Sequence, residues 1–202
     1  MTPEEFARQT GASPEVMDRL KRYVALLEQW QKKMNLVGKS TMADVWRRHM
    51  LDSAQLVPLI DKTEGKIADM GSGAGFPGMV VAIMTDRPVV LIESTTKKCA
   101  FLSEVAKETK ALATILNQRV ESVTGQKFSV VTARAVANLA DLIGLCLTIL
   151  RPPGTCFFLK GQGVSAELTE ALKRWNINIT RIPSVTDPSG TVLRLEGISK
   201  KP

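Results

Sequence analysis

The stretch that most constrains the fold is Lys66-Ile-Ala-Asp-Met-Gly-Ser-Gly-Ala-Gly-Phe-Pro-Gly78. Ile67, Ala68 and Met70 make a short apolar strand that carries Asp69 to its carboxyl end. Gly71, Gly73 and Gly75 follow as a loop without side chains to keep a ligand away. Pro77 suits the first turn of the next helix, where its missing N–H is not needed. Met79 to Met84 is an apolar run for that helix to bury. Strand, glycine loop and helix N-terminus, in this order, hold nucleotide-like ligands in open α/β sheets.

Two ligand classes compete for such a loop. Gly73-x-Gly75-x-x-Gly78 satisfies the dinucleotide pattern, in which the loop cradles a pyrophosphate. The register Asp69-x-Gly71-x-Gly73-x-Gly75 fits S-adenosylmethionine (SAM) better. SAM has no pyrophosphate; it has an amino-acid tail, a sulfonium and a ribose, and an acidic residue before the loop suits its ammonium end. A second acidic residue is then expected at the end of the next strand, on the ribose hydroxyls. Val89-Val-Leu-Ile-Glu93 supplies it, 24 residues after Asp69. That spacing also suits NAD, so the early Asp69 decides for SAM. A purely structural Gly-rich turn is the third reading.

At 202 residues and 44% hydrophobic, the chain can build one large core with a small appendage. No apolar run approaches the ~20 residues of a membrane span. The opening Met-Thr-Pro-Glu-Glu-Phe lacks the regions of a signal peptide, so a cytoplasmic protein is expected. Cys99, Cys146 and Cys156 are scattered, which argues against disulfides and a zinc site, and no metal is expected. The 27 basic residues against 20 acidic give a net charge of +7, which favours a polyanionic partner. The excess forms no dense basic run, so charge alone does not establish nucleic-acid binding.

Thr2 with Glu5 reads as a capping box for a first helix, and Ser13-Pro14 starts a second. Along the second, Val16, Leu20, Val24, Leu27, Trp30 and Met34 form one buried stripe, with Asn35 to Gly38 as its end. Lys21, Arg22, Lys32 and Lys33 lie mostly off the stripe and read as a solvated face. A third helix is predicted from Thr41, with Asp44 in capping-box position, to about Ile60. It places Arg48, His49 and Asp52 on one face. His49 is the only histidine; a satisfied structural role and general-base catalysis are both open to it. Residues 1–62 thus read as an N-terminal helical cap, and 63–202 as the catalytic domain.

From the glycine loop onward the pattern alternates: helix 77–84, strand 89–93, helix 95–109, strand 113–117. Strand 128–134, helix 138–150, strand 155–160 and helix 165–175 follow. Strands near 176–182 and 191–198 close the chain as a hairpin around Asp187-Pro-Ser-Gly190. This predicts the α/β, Rossmann-like class of SAM-dependent methyltransferases, with a seven-stranded sheet that is parallel apart from the hairpin. Ligands in such sheets sit beyond the strand carboxyl ends. Those ends carry Asp69, Glu93, Asn117 to Glu121, Arg134 and Lys160, a polar set that favours a site over scattered rim salt bridges.

Methyl transfer is an in-line displacement, so positioning dominates. Enzymes acting on an adenine amino group place Asn or Asp before Pro-Pro-Tyr at the end of the fourth strand; here it reads Thr132-Ala-Arg134. Arg151-Pro-Pro-Gly154 reads as a turn before the fifth strand. Cytosine-C5 enzymes need a cysteine nucleophile, and Cys156 is expected at the start of its strand, the wrong end. A ring nitrogen with a free lone pair, such as guanine N7, needs neither device. Arg134 is expected where donor and acceptor meet, and a salt bridge to Asp69 or Glu121 is its plainer alternative.

Several motifs occur in order: Asn35-Leu, Arg48-His49-x-Leu51-Asp52-Ser53 and Asp69-x-Gly71-x-Gly73-x-Gly75-x-Pro77-Gly78. Glu93-Ser94-x-x-Lys97-Lys98, Phe101-Leu102, Arg119-Val120-Glu121, Arg134-Ala135 and Lys160-Gly161 follow. Over about residues 30–165 the chain resembles the bacterial small-subunit ribosomal RNA methyltransferase G family, also called glucose-inhibited division protein B. The resemblance implies SAM-dependent methylation of guanine N7 in 16S ribosomal RNA, near the decoding centre, with the RNA or the small subunit as partner. It implies SAM contacts at Gly71, Phe76, Val120, Glu121 and Arg134, beside Asp69, Gly73, Gly75 and Glu93. It places His49, Lys97 and Arg134 at the catalytic, target-facing side, and makes Arg48, Lys97, Lys98, Arg119 and Lys160 the RNA-binding candidates. For His49 it favours orienting the site over base catalysis. Thr132-Ala133 departs from the serine frequent in relatives and Lys98 from their arginine, neither expected to touch the chemistry. No membrane and no obligate protein partner is expected, and a monomer is. The rivals are a small-molecule or protein methyltransferase on the same fold, and a SAM- or RNA-binding module without turnover.

Overall fold

In the computed structural model, which describes residues 1–134 and 137–202, each alternating apolar run becomes a strand of one sheet. The strands are β1 (Ile67–Met70), β2 (Val89–Glu93), β3 (Ala113–Asn117), β4 (Phe128–Arg134), β5 (Leu150–Lys160), β6 (Trp175–Pro183) and β7 (Thr191–Lys200). Their order is β3-β2-β1-β4-β5-β7-β6. The first five run parallel, and the closing hairpin joins antiparallel through β7 on β5. The order reverses between β1 and β4, which makes their carboxyl ends the topological switch point where such sheets bind ligands.

Helices α1 (Pro3–Thr10), α2 (Pro14–Gln31), α6 (Gly78–Thr85) and α7 (Thr96–Thr109) cover one face; α8 (Leu139–Ile149) and α9 (Val164–Arg174) cover the other. Each face has its own apolar core. The first joins Phe6, Leu20 and Leu27 of the N-terminal helices to Met79, Phe101, Val130 and Phe157. The N-terminal helices therefore share the sheet's core, and α2 is further tied to α7 by Arg22–Glu108 and by Trp30 Nε1 donating to Glu104. The capping box of Thr2 and Glu5 and the Ser13 cap form as the sequence implies.

Three stretches depart from expectation. Helix α2 stops at Gln31, because the Gln31 amide turns back to accept from the N–H groups of Leu36 and Val37 and donate to the Val37 carbonyl. The predicted helix over 41–60 is broken into α3 (Lys39–Met42), a π-helical segment (Trp46–Leu51), α4 (Asp52–Ala54) and α5 (Val57–Ile60). Thr41 does not cap it: its hydroxyl donates to the Gly38 carbonyl, and Asp44 pairs with the Met1 amino group instead. Strand β5 begins at Leu150, so Arg151-Pro-Pro-Gly154 is an irregularity inside it. The ladder breaks between Leu150↔Phe128 and Thr155↔Val130, where two prolines have no N–H to donate. Cys156 is consequently mid-strand, buried opposite Val131 and 3.0 Å from the Cys146 sulfur.

Candidate active site

Strand β1 delivers Asp69 to the switch point on the same face as Thr132 of neighbouring β4, its partner in register. Asp69 is fully buried; Oδ1 accepts from the Thr132 hydroxyl at 2.7 Å, and Oδ2 has no hydrogen-bond partner. Burial pushes its pKa up to about 6 against the pull of the Thr132 and Ser72 hydroxyls. Gly78 packs directly on it, since a Cβ there would lie 2.4 Å from the Asp69 Cβ. The departure at Thr132 therefore does touch the site: its hydroxyl donates to the Asp69 carboxylate at 2.7 Å.

The loop crosses above. Gly71, Gly73 and Gly75 have φ of 65°, 58° and 94°, a left-handed run that other residues resist. Glu93, at the carboxyl end of β2, pins it: Oε2 accepts from Gly73 N–H at 2.9 Å and Oε1 from Thr95 N–H at 2.7 Å. Burial raises the Glu93 pKa, but these donors and Lys98 outweigh it and hold the carboxyl below its ordinary value. A second anchor comes from α2 and went unrecognised in the sequence. Tyr23, fully buried, donates its hydroxyl to the Ala74 carbonyl, and a Cβ on Gly75 would meet that hydroxyl at 2.6 Å.

Phe76 is buried at the centre of an aromatic stack. Tyr23 stacks on it with ring centroids 5.2 Å apart and His49 with 4.9 Å, and the Arg134 guanidinium lies 5.0 Å over the same ring. Arg134 leaves the end of β4 and donates to the Arg48 carbonyl, to Asp52 Oδ2 at 3.2 Å and to His49 Nδ1 at 2.9 Å. Its carboxylate partner is thus Asp52, not Asp69 or Glu121. Because Arg134 can only donate, Nδ1 is the acceptor and Nε2 carries the hydrogen, donated to Thr41 Oγ1 at 2.7 Å. Both imidazole nitrogens are occupied. Burial and the charges of Arg134 and Arg48 lower the His49 pKa to about 3, so the ring stays neutral. It orients Arg134 and has no lone pair left for a base.

Beside this cluster lies a cavity of about 380 Å³. Arg134 and His49 form its near wall, and the strand ends of β5 and β7 its floor. The turn of residues 184–190 closes it, bound to the π-helical segment and the start of α4 by three contacts: Thr186 hydroxyl to Asp52, Arg47 Nε to the Thr186 carbonyl, and Arg48 to Asp187. Of the remaining sequence candidates, Lys97 and Arg119 are exposed and Lys98 half-buried. Val120 is buried and Glu121 exposed, on the turn after β3. Lys160 is no free cation: its Nζ pairs with Glu167 at 2.7 Å and donates to the Ala137 carbonyl. Ala135 lies outside the described residues. Among those described, no group of His, Cys, Asp and Glu gathers to hold a metal, and no helix is long and apolar enough to cross a membrane.

Solved structures share this architecture. A ribosomal protein L11 methylase from Lactobacillus delbrueckii subsp. bulgaricus superposes with a TM-score of 0.58 at 17% identity, over 74% of this chain and 77% of that one. The N-methyltransferase NodS of Bradyrhizobium japonicum, in complex with S-adenosyl-L-homocysteine, gives 0.52 at 12% identity over 71% and 84%. Sequence relatives are far nearer. The ribosomal RNA small subunit methyltransferase G of Paramagnetospirillum magneticum is 49% identical over 200 residues, covering 99% of this chain and 98% of the relative. That of Rhodospirillum centenum is 46% identical over 98% of this chain and 91% of its own length. The family model for rRNA small subunit methyltransferase G matches residues 16–190, and with these relatives it establishes that the chain belongs to that family.

Proposed function

We propose that the protein transfers the methyl group of SAM to N7 of a guanine in 16S ribosomal RNA. The observation that carries the acceptor assignment is the state of His49. The only histidine beside the switch point is neutral, with both nitrogens engaged, and Cys156 is sealed in mid-strand against Cys146. Neither His49 as a base nor Cys156 as a thiol nucleophile is therefore available to the acceptor. Guanine N7 requires neither, because it carries a lone pair and no proton.

The residues fit SAM. Each Glu93 oxygen accepts one backbone N–H, which leaves each a lone pair for a ribose hydroxyl. The space over Gly73 is open, a Cβ there meeting only the Gly71 carbonyl at 3.9 Å. Asp69, with an unpartnered buried oxygen, places negative potential under the loop where the ammonium group would lie. Val120 and Glu121 flank the adenosine side. SAM supplies the electrophilic methyl; the chain binds, orients and shields. Asp69 and Glu93 would offset the positive charge that methylation leaves on the purine, in a site where Arg134 is already balanced by Asp52. Lys97 and Arg119, exposed on the rim, engage phosphates.

Labelled SAM, incubated with small subunits lacking the modification and with protein-free ribosomal RNA, tests this. Borohydride and aniline then cleave the chain at 7-methylguanine. The expected outcome is one new enzyme-dependent cleavage. Label in the RNA without a new aniline-sensitive guanine would overturn the N7 assignment and leave methyl transfer standing.

A further inference from the structure

The cavity beyond Arg134 is separate from the cofactor side, since no residue of the glycine loop lines it. Three carboxylates face it, Asp52, Glu167 and Asp187. Five of their six oxygens are engaged. Asp52 Oδ1 takes Gln55 and Thr186, and Oδ2 takes Arg134. Asp187 Oδ1 takes Ser189, and Oδ2 takes Arg48. Glu167 Oε2 takes Lys160 Nζ and the Leu139 N–H. Of these six oxygens only Glu167 Oε1 has no partner among the described residues, and the Glu167 side chain is 29% exposed.

A guanine has its N7 and O6 on one edge and its N1–H and N2–H₂ donors on another. If N7 faces the methyl donor, the O6/N7 edge is turned towards Arg134 at the end of β4. The N1–H and N2–H₂ donors then point across β5, one strand spacing or about 4.8 Å away. Lys160 and Glu167 stand there: Arg134 pairs with Leu159 of β5, and Lys160 follows it. With Oε2 held in place by Lys160 and the Leu139 N–H, the free Oε1 is fixed to accept two donors on its lone pairs. Resting on the guanine-N7 reading, we propose that this cavity is the acceptor-base pocket and that Glu167 selects guanine by accepting from its N1–H and N2–H₂ groups. Adenine would turn a lone pair at N1 towards the carboxylate and is rejected.

The test uses small subunits reconstituted with ribosomal RNA carrying guanosine or inosine, which lacks the 2-amino group, at the methylated position. The readout is the ratio of kcat/KM for guanosine over inosine. Intrinsic differences in N7 reactivity are common to all variants and cancel when their ratios are compared. Glu167→Gln is expected to lower the ratio about ten-fold, the worth of one charge-assisted hydrogen bond, with calorimetric SAM affinity unchanged. Glu167→Asp keeps the charge beside Lys160 but draws Oε1 back from the base, and is expected to lower the ratio in the same direction should the Gln variant fold poorly. A ratio unchanged from wild type in a folded variant overturns the role of Glu167 while aniline-detected N7 methylation stands. If wild-type reactions give no aniline-sensitive guanine, the N7 reading and the pocket assignment fail together.

Discussion

Arg134 makes three hydrogen-bonded contacts and one over an aromatic ring, so it fixes the geometry of the site more than any other side chain. A lysine at that position retains the charge but not the planar fork that reaches Asp52 and His49 together. Arg134→Lys is therefore expected to lower turnover at least about ten-fold while thermal stability changes little; full activity in this variant would mark Arg134 as a structural ion pair only. Asp69 sets a pH limit of its own. Its ordinary carboxyl pKa of 3.8 is raised to about 6 in the native state. The native protein thus holds a proton the unfolded chain has lost, and the stability tied to it is full below 3.8 and lost as pH rises through 6. SAM affinity runs the other way, because only ionised Asp69 attracts the ammonium group. Calorimetry between about pH 5 and about pH 8 should show binding strengthening through the pKa of Asp69, and Asp69→Asn should weaken binding and flatten that rise. His49 contributes nothing to this change in binding, since in the folded protein its proton is lost at about 3. Thr132→Val would remove the 2.7 Å donor to the buried carboxylate, at a cost of about 1–3 kcal/mol while Asp69 is ionised. Melting curves should show a smaller loss at a pH where it is protonated.

Elements that signal locally were legible in the sequence. Strand, glycine loop and helix 66–78 follow each other without interruption, and Glu93 ends the next apolar strand, so the glycine-loop half of the candidate site needed no tertiary information. The half around Arg134 did. Tyr23 falls at helical spacing with Leu20, Leu27 and Trp30, which marks it as buried but does not reveal that its hydroxyl reaches Ala74, 51 positions away. The break in the 41–60 helix likewise has a distant cause: the π-helical segment turns His49 inward onto Phe76 and Arg134, contacts made 27 and 85 residues along the chain. The turn at 184–190 read only as a hairpin loop, because its bonds to Asp52, Arg47 and Arg48 leave no trace in local composition. Those contacts suggest a test of how α2 serves the loop. Tyr23→Phe keeps the ring stack on Phe76 and removes only the hydrogen bond to Ala74. It should weaken SAM binding by about 0.5–1.5 kcal/mol, seen as a raised KM for SAM with kcat for bound substrates preserved. Equal losses in both constants would mean that α2 supports the whole site rather than the loop.

At the scale of the whole molecule the surplus of +7 matters only through the cations left facing solvent. Much of the basic inventory is internal business. Arg19 holds Asp86 and the Thr109 carbonyl, Arg22 holds Glu108, Arg87 holds the Ile60 and Gly65 carbonyls, and Lys160 holds Glu167. Lys97, at the start of α7, and Arg119, after β3, have no such partner among the described residues and stand exposed just beyond the carboxyl ends of β2 and β3. Binding to RNA releases one condensed counterion set per phosphate neutralised, so log K falls linearly with log salt, with a slope of about 0.7–0.9 per contact. Lys97→Ala and Arg119→Ala should each reduce that slope by about this amount and weaken binding most at low salt. Lys160→Met should leave the slope unchanged, because its charge is already neutralised inside the protein, even if disturbance of Glu167 lowers activity. Filter binding of ribosomal RNA across a salt series separates the two groups. An intact slope in the Lys97 and Arg119 variants would move the phosphate-binding surface away from the rim of the cofactor site. A reduced slope in the Lys160 variant would mean that RNA binding breaks its pair with Glu167 and turns Nζ towards a phosphate.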